Sequence, residues 1–140
     1  MPKIEQLTYQ CSGGLGFIEY SNYILTVDKD GLAFLDGTCA SLEGCYQGRL
    51  PSSTLQRLLP ILEAHGFFDE LKGSYTEHHT TCGGSVKIHA KVSDGRDKCI
   101  HHYTGDTNAP VGLHAIEMVL NDLWVVVGDG WTRVGGVNGI

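Results

Sequence analysis

Two segments of this chain, YILTVDKDGLAFLDG (23–37) and SVKIHAKVSDGRDKCIHHY (85–103), share one device. Apolar residues stand at alternate positions on either side of an x-Asp-Gly turn. Period-two alternation marks a half-buried strand, and Asp-Gly between two such runs marks a hairpin. Gly31 and Gly95 can take the left-handed conformation that a three-residue turn with a G1 bulge requires. That turn length sets Leu25 opposite Leu35, Val27 opposite Ala33 and Ile88 opposite Ile100. Tyr23, Leu25, Val27, Ala33 and Leu35 then share one face, as do Val86, Ile88, Ala90 and Ile100. A two-residue turn in the second hairpin would bury Cys99 and His101 and expose Ile100. A slip of one residue inverts every side chain, so burial of the isoleucine selects the longer turn.

The rest of the chain supplies the cover for such a sheet. Cys45 to Leu50 reads as a third strand. Leu55, Leu58, Leu59 and Leu62 follow at helical spacing, with Ser53 and Gln56 placed as a capping box and Gly66 as the stop. Pro60 inside this pattern predicts a kink or two short helical pieces. Phe67, Phe68 and Leu71 are expected core anchors. A second helix starts near Pro110, with Leu113, Ile116, Leu120 and Leu123 as its buried stripe. Trp124 to Val127 is expected to continue as a final strand or edge segment. The expected architecture is α+β: a two-layer sandwich with an antiparallel sheet of about five strands and two helices on one face, in the order βββαββα. The 124–127 segment is the candidate for an added short C-terminal strand, and residues 1–140 are expected to form one domain with a glycine-rich tail over 128–140.

The net charge of −6 is repelled by a phosphate backbone, and no basic run offsets it, so no nucleic-acid partner is expected. No uninterrupted apolar run of bilayer length is read, and the first ten residues hold no apolar signal core. The expectation is a cytoplasmic protein without a membrane partner. Five cysteines without a C-x-x-C are then expected to stay reduced, although Cys39 and Cys45 flank a short loop that a disulfide would close in an oxidising compartment.

Cys11 to Gly14, Tyr23 to Gly37, Gly66 to Phe68, Tyr75, His102-Tyr103, Pro110 and Trp124 together resemble a family of small bacterial proteins known only as a domain of unknown function. That family's pattern is a Cys-Gly turn, a Tyr-strand-Asp-Gly hairpin, a helix ending in Gly-Phe-Phe, and a second hairpin ending in His-Tyr before a Pro-started helix. The family's opening is interrupted here by LGFIEYSN, and Cys82 stands where an acidic residue is expected. The resemblance implies the fold and carries no activity with it.

Chemistry concentrates in one stretch. His78, His79, Cys82, His89, Cys99, His101 and His102 fall within 25 residues and include five of the seven histidines. Imidazole and thiolate bind transition metals, move protons and act as nucleophiles. With the longer turn, His89 stands opposite Cys99 and His101 lies on the same face. Those three, with His79 or Cys82 as a fourth ligand, are the candidate zinc site. Lys87 and Lys91 on that face oppose a cation. Cys82 before Gly83-Gly84 is the candidate nucleophile of a thiol enzyme. The ordinary alternatives are a solvated strand face and a turn cysteine. Surplus apolar residues, in LGFIEYSNY, in Val125 to Val127 and at Trp131, point elsewhere. The leading expectation is therefore a non-enzymatic binding or interaction module that self-associates as a dimer, takes an unidentified small-molecule or protein ligand and has no cofactor. A metal-binding protein or metal-dependent enzyme is the alternative, and a thiol enzyme the third reading.

Overall fold

A computed structural model of the chain describes residues 2–12, 22–39, 42–76, 84–103 and 109–134. The strands are β1 (Ile4–Ser12), β2 (Asn22–Asp28), β3 (Leu32–Cys39), β4 (Leu42–Arg49), β5 (Ser74–Tyr75), β6 (Ser85–Val92), β7 (Asp97–Tyr103) and β8 (Thr132–Arg133). The helices are α1 (Ser52–Ala64), α2 (Val111–Asn121) and the short α3 (Leu123–Val127). The fold is α+β. Among the described residues one sheet has eight strands in the order β5-β7-β6-β1-β2-β3-β4-β8, not about five. It is mixed rather than purely antiparallel, because β5 runs parallel to β7.

Both hairpins close as their turns dictate. Leu25 pairs Leu35, Val27 pairs Ala33 and Ile88 pairs Ile100. The Gly31 N–H donates to the Asp28 carbonyl at 3.1 Å and the Gly95 N–H to that of Val92 at 3.0 Å. The two glycines have φ of 85° and 100°. Asp28 Oδ1 also accepts from the backbone N–H groups of Asp30 and Leu32, which locks the first turn. Ile100 is fully buried, at 0% exposure. The alternate residues of β6 and β7 therefore line the opposite face of the sheet, which no described helix covers.

The added strands are β1, β5 and β8. β1 lies at the centre, between β2 and β6, and buries Ile4, Leu7 and Tyr9. The apolar face of the sheet forms one core with Leu58, Leu59 and Leu62 of α1, Leu113, Ile116 and Leu120 of α2, and Phe67, Leu71 and Leu123.

Three further expectations are corrected, and the expected free thiol is found at Cys45. Helix α1 has no side-chain cap; the chain turns at Pro51 with φ −58°, and Ser53 and Gln56 fall inside the helix. Proline's fixed φ already suits a helix start, which leaves no cap position for Ser53. Pro60 does not divide the helix into two pieces, because α1 is one helix of 13 residues. The pyrrolidine nitrogen still removes one i→i−4 bond from an exposed stretch. Pro60→Ala is therefore expected to raise stability by about 1–2 kcal/mol, checked by the urea midpoint.

Residues 124–127 are helical, not a strand, since Leu123 is seated in the core and the turn at Asp122 passes directly into α3. Cys45 is a free thiol whose Sγ donates to Asp36 Oδ1 at 3.4 Å, so no Cys39–Cys45 disulfide forms. In the β3–β4 register Cys45 faces Asp36, whereas Cys39 faces Leu42.

Part of the glycine-rich tail is folded. β8 adds to the β4 edge at Tyr46 and Gln47, and Trp131 Nε1–H donates to the Trp124 carbonyl at 2.9 Å. Gly48 leaves the room: a Cβ there would stand 2.7 Å from Val127 Cγ1 and 2.9 Å from the Trp131 ring. The continuous helical stretch Val111–Gly130 is 20 residues long, with a mean hydropathy of 1.4 over its most apolar window. By length and composition it matches a bilayer-spanning helix, which a search for uninterrupted apolar runs does not register.

Candidate functional site

Consecutive residues of a strand point to opposite faces, so the His101-His102 pair at the end of β7 divides its chemistry between two surfaces. His101 is on the open face and His102 is under α2.

On the open face the register brings His89 opposite Cys99 and places His101 two residues further along, opposite Lys87. The side chains diverge. His89 Nε2 bonds Asp97 Oδ1 at 2.5 Å, on the far side of Cys99 from His101. Among the described residues no three His, Cys, Asp or Glu side chains are placed to hold a metal ion. His78, His79 and Cys82 lie outside the described residues.

His101 does line a cavity, of about 610 Å³, with Gln10, Thr76, Ser85, Lys87 and Tyr103. Val86 and His102 also border it. Ser85, Lys87, His101 and Tyr103 alternate with buried Val86, Ile88, Ile100 and His102, and Gln10 follows buried Tyr9, which assigns these five side chains to the open face. Gln10 pairs Lys87 and Lys87 pairs His101, so amide, ammonium and imidazole form a single row across β1, β6 and β7. Ser85 and Tyr103 form the next row. His89 and Cys99 do not line this cavity. A second hollow of about 650 Å³ lies between α1 and the Lys3–Ile4 and Lys29–Asp30 segments. Its lysines, Lys3 and Lys29, are balanced by Asp30 and Glu63 over an apolar floor of Ile4, Leu55 and Leu59.

On the covered face His102 is buried, at 2% exposure, and its Nδ1 meets Glu117 Oε2 of α2 at 2.5 Å. A carboxylate only accepts, so Nδ1 carries the proton. The His114 ring stands edge-on to the His102 ring, with centroids 5.5 Å apart. His102 Nε2 is buried and, among the described residues, has no hydrogen-bond partner.

The same helix side meets the sheet again where the Tyr23 hydroxyl donates to Asn121 Oδ1 at 3.2 Å. Cys11, on β1, sits in this polar seam. Burial pushes its thiol above the usual range, the Glu117 charge adds to that, and a hydrogen bond with Tyr9 opposes it. Cys11 is thus held as a thiol rather than a nucleophilic thiolate.

The sequence reading placed His101 and missed the His102–Glu117 pair. The signal was present. Glu117 is four residues after Leu113 and three before Leu120, on the core-facing stripe, and His102 is two residues after buried Ile100. No family model matches the chain, and no curated protein matches it.

Proposed function

We propose that this chain is a non-enzymatic interaction module that self-associates through the outer side of α2 and α3. The observation that carries the reading is a second apolar stripe on a helix whose first stripe is already buried. Val111, Met118 and Val125 recur at intervals of seven and are 83%, 71% and 54% exposed. Ala115 fills the turn between the first two, exposed Asp122 stands between the second two, and Val126 widens the far end. A helix that is apolar on two sides is normally covered on both. Seven-residue spacing gives a seam of the kind helices use to pack on one another, about 21 Å long at 1.5 Å per residue.

Light scattering across the micromolar range tests it. The wild-type chain is expected at twice the monomer mass. The Met118→Glu/Val125→Glu variant is expected at the monomer mass, because two carboxylates in the seam cost several kcal/mol of desolvation. A wild-type mass that stays monomeric at every concentration removes the reading.

A further inference from the structure

We propose that the open-face cavity at the β1–β6–β7 end of the sheet binds the oxyanion of a small molecule, a phosphate monoester or a carboxylate. Its volume of about 610 Å³ falls in the range of small-molecule sites. Among the described residues its lining offers the ammonium of Lys87, the imidazole of His101, the amide of Gln10 and the hydroxyls of Ser85, Thr76 and Tyr103, that of Thr76 shared with Ser74 at 3.2 Å, and no carboxylate. In a chain of net charge −6 this is a local exception.

The pairing across the strands sharpens the point. Lys91, four residues along β6, faces Asp97 across the ladder, and Arg96 is held by Asp94 and Glu63. Lys87 faces His101. An imidazole directly opposite Lys87 brings the ammonium no counter-charge across the ladder. Among the described residues neither side chain makes a hydrogen bond or ion pair, and the same holds for Gln10. A bound oxyanion supplies the missing charge and accepts from every donor in the row. Lysine serves as a point charge for such groups, and hydroxyls and an amide complete the shell.

The surface suits this ligand better than a cation, which Lys87 repels. Beneath it, the contact of His102 with Glu117 anchors the strand that presents His101.

The test is a titration of the full chain followed by amide ¹H–¹⁵N shifts, with inorganic phosphate in one arm and acetate in the other. Saturable shifts are expected at the amides of Ser85 to Lys87 and His101 to Tyr103. Lys87→Met is expected to weaken binding about tenfold or more, the loss of one charge-assisted bond. Lys91→Met removes the same charge outside the cavity and is expected to change affinity less than about twofold. The Met118→Glu/Val125→Glu variant is expected to bind as the wild type does, which separates this site from self-association. A response to phosphate alone assigns a phosphate monoester, and a response to acetate alone assigns a carboxylate; both support the site. No saturable shift with either anion, or equal weakening in the two lysine variants, overturns it.

Discussion

Truncating Glu117 to alanine is expected to lower stability by about 3 kcal/mol, read as a fall in the urea midpoint at unchanged m. The carboxylate is the only described hydrogen-bond partner of a histidine side chain that is 2% exposed, and the other ring nitrogen already lacks one. Removing Glu117 leaves both ring nitrogens buried and unsatisfied between α2 and the sheet, and such groups carry their full desolvation penalty. His102→Leu alone is expected to cost a similar amount, because it leaves the carboxylate facing an apolar core. The double variant His102→Leu/Glu117→Leu is expected to recover most of either loss, since a well-packed apolar pair replaces a buried polar one at little or no cost. The measurement is a double-mutant cycle. A change below about 0.5 kcal/mol in Glu117→Ala would show that α2 is held by its leucines alone.

Gly37→Ala is expected to be comparably damaging, at about 3 kcal/mol, for a different reason. Gly37 has φ of 127°, and a Cβ there would strike the Asn22 carbonyl oxygen and Tyr23 Cα. These are backbone atoms of the neighbouring strand, so no side chain can swing aside. Relief requires β2 and β3 to separate where Tyr23 enters the core. Gly95→Ala provides the comparison. Gly95 also has a positive φ, of 100°, yet nothing lies within 4 Å of a Cβ built there. Only the conformational cost remains, about 1–2 kcal/mol. Thermal or urea unfolding of the two variants separates backbone strain from collision. Equal losses would show that the β2–β3 contact yields freely.

Much of this was written in the sequence where local chemistry and burial agree. The Asp-Gly turns and the single choice of a dry Ile100 determine the register of four strands. That register alone turns His101 and Cys99 outward. β1 was hidden because its apolar residues do not alternate cleanly. The pairing of β1 with β6 shifts at a bulge between Ile4 and Gln6, so the buried series steps by three from Ile4 to Leu7 before period two resumes at Tyr9. β5 and β8 have two residues each, too few for any period.

Val125 to Val127 are β-branched and favour strands in isolation, but the helix arriving from Leu123 overrides that preference. The failure of His89 to join His101 was legible only in part. The ladder sets which residues face each other, whereas the rotamer that carries His89 to Asp97 depends on a carboxylate two positions beyond its partner. The His102–Glu117 pair joins residues from a strand and a helix, and each looks like an ordinary surface residue until both stripes are laid over the core.

The strand nearest the amino terminus occupies the middle of the sheet, with β2 on one side and β6 on the other. During synthesis β1 meets β2 early, but Tyr9 must wait for Ile88 before its second ladder can close. Until then the nascent chain carries a naked row of amides and carbonyls along β1, a template for pairing with any other extended polypeptide.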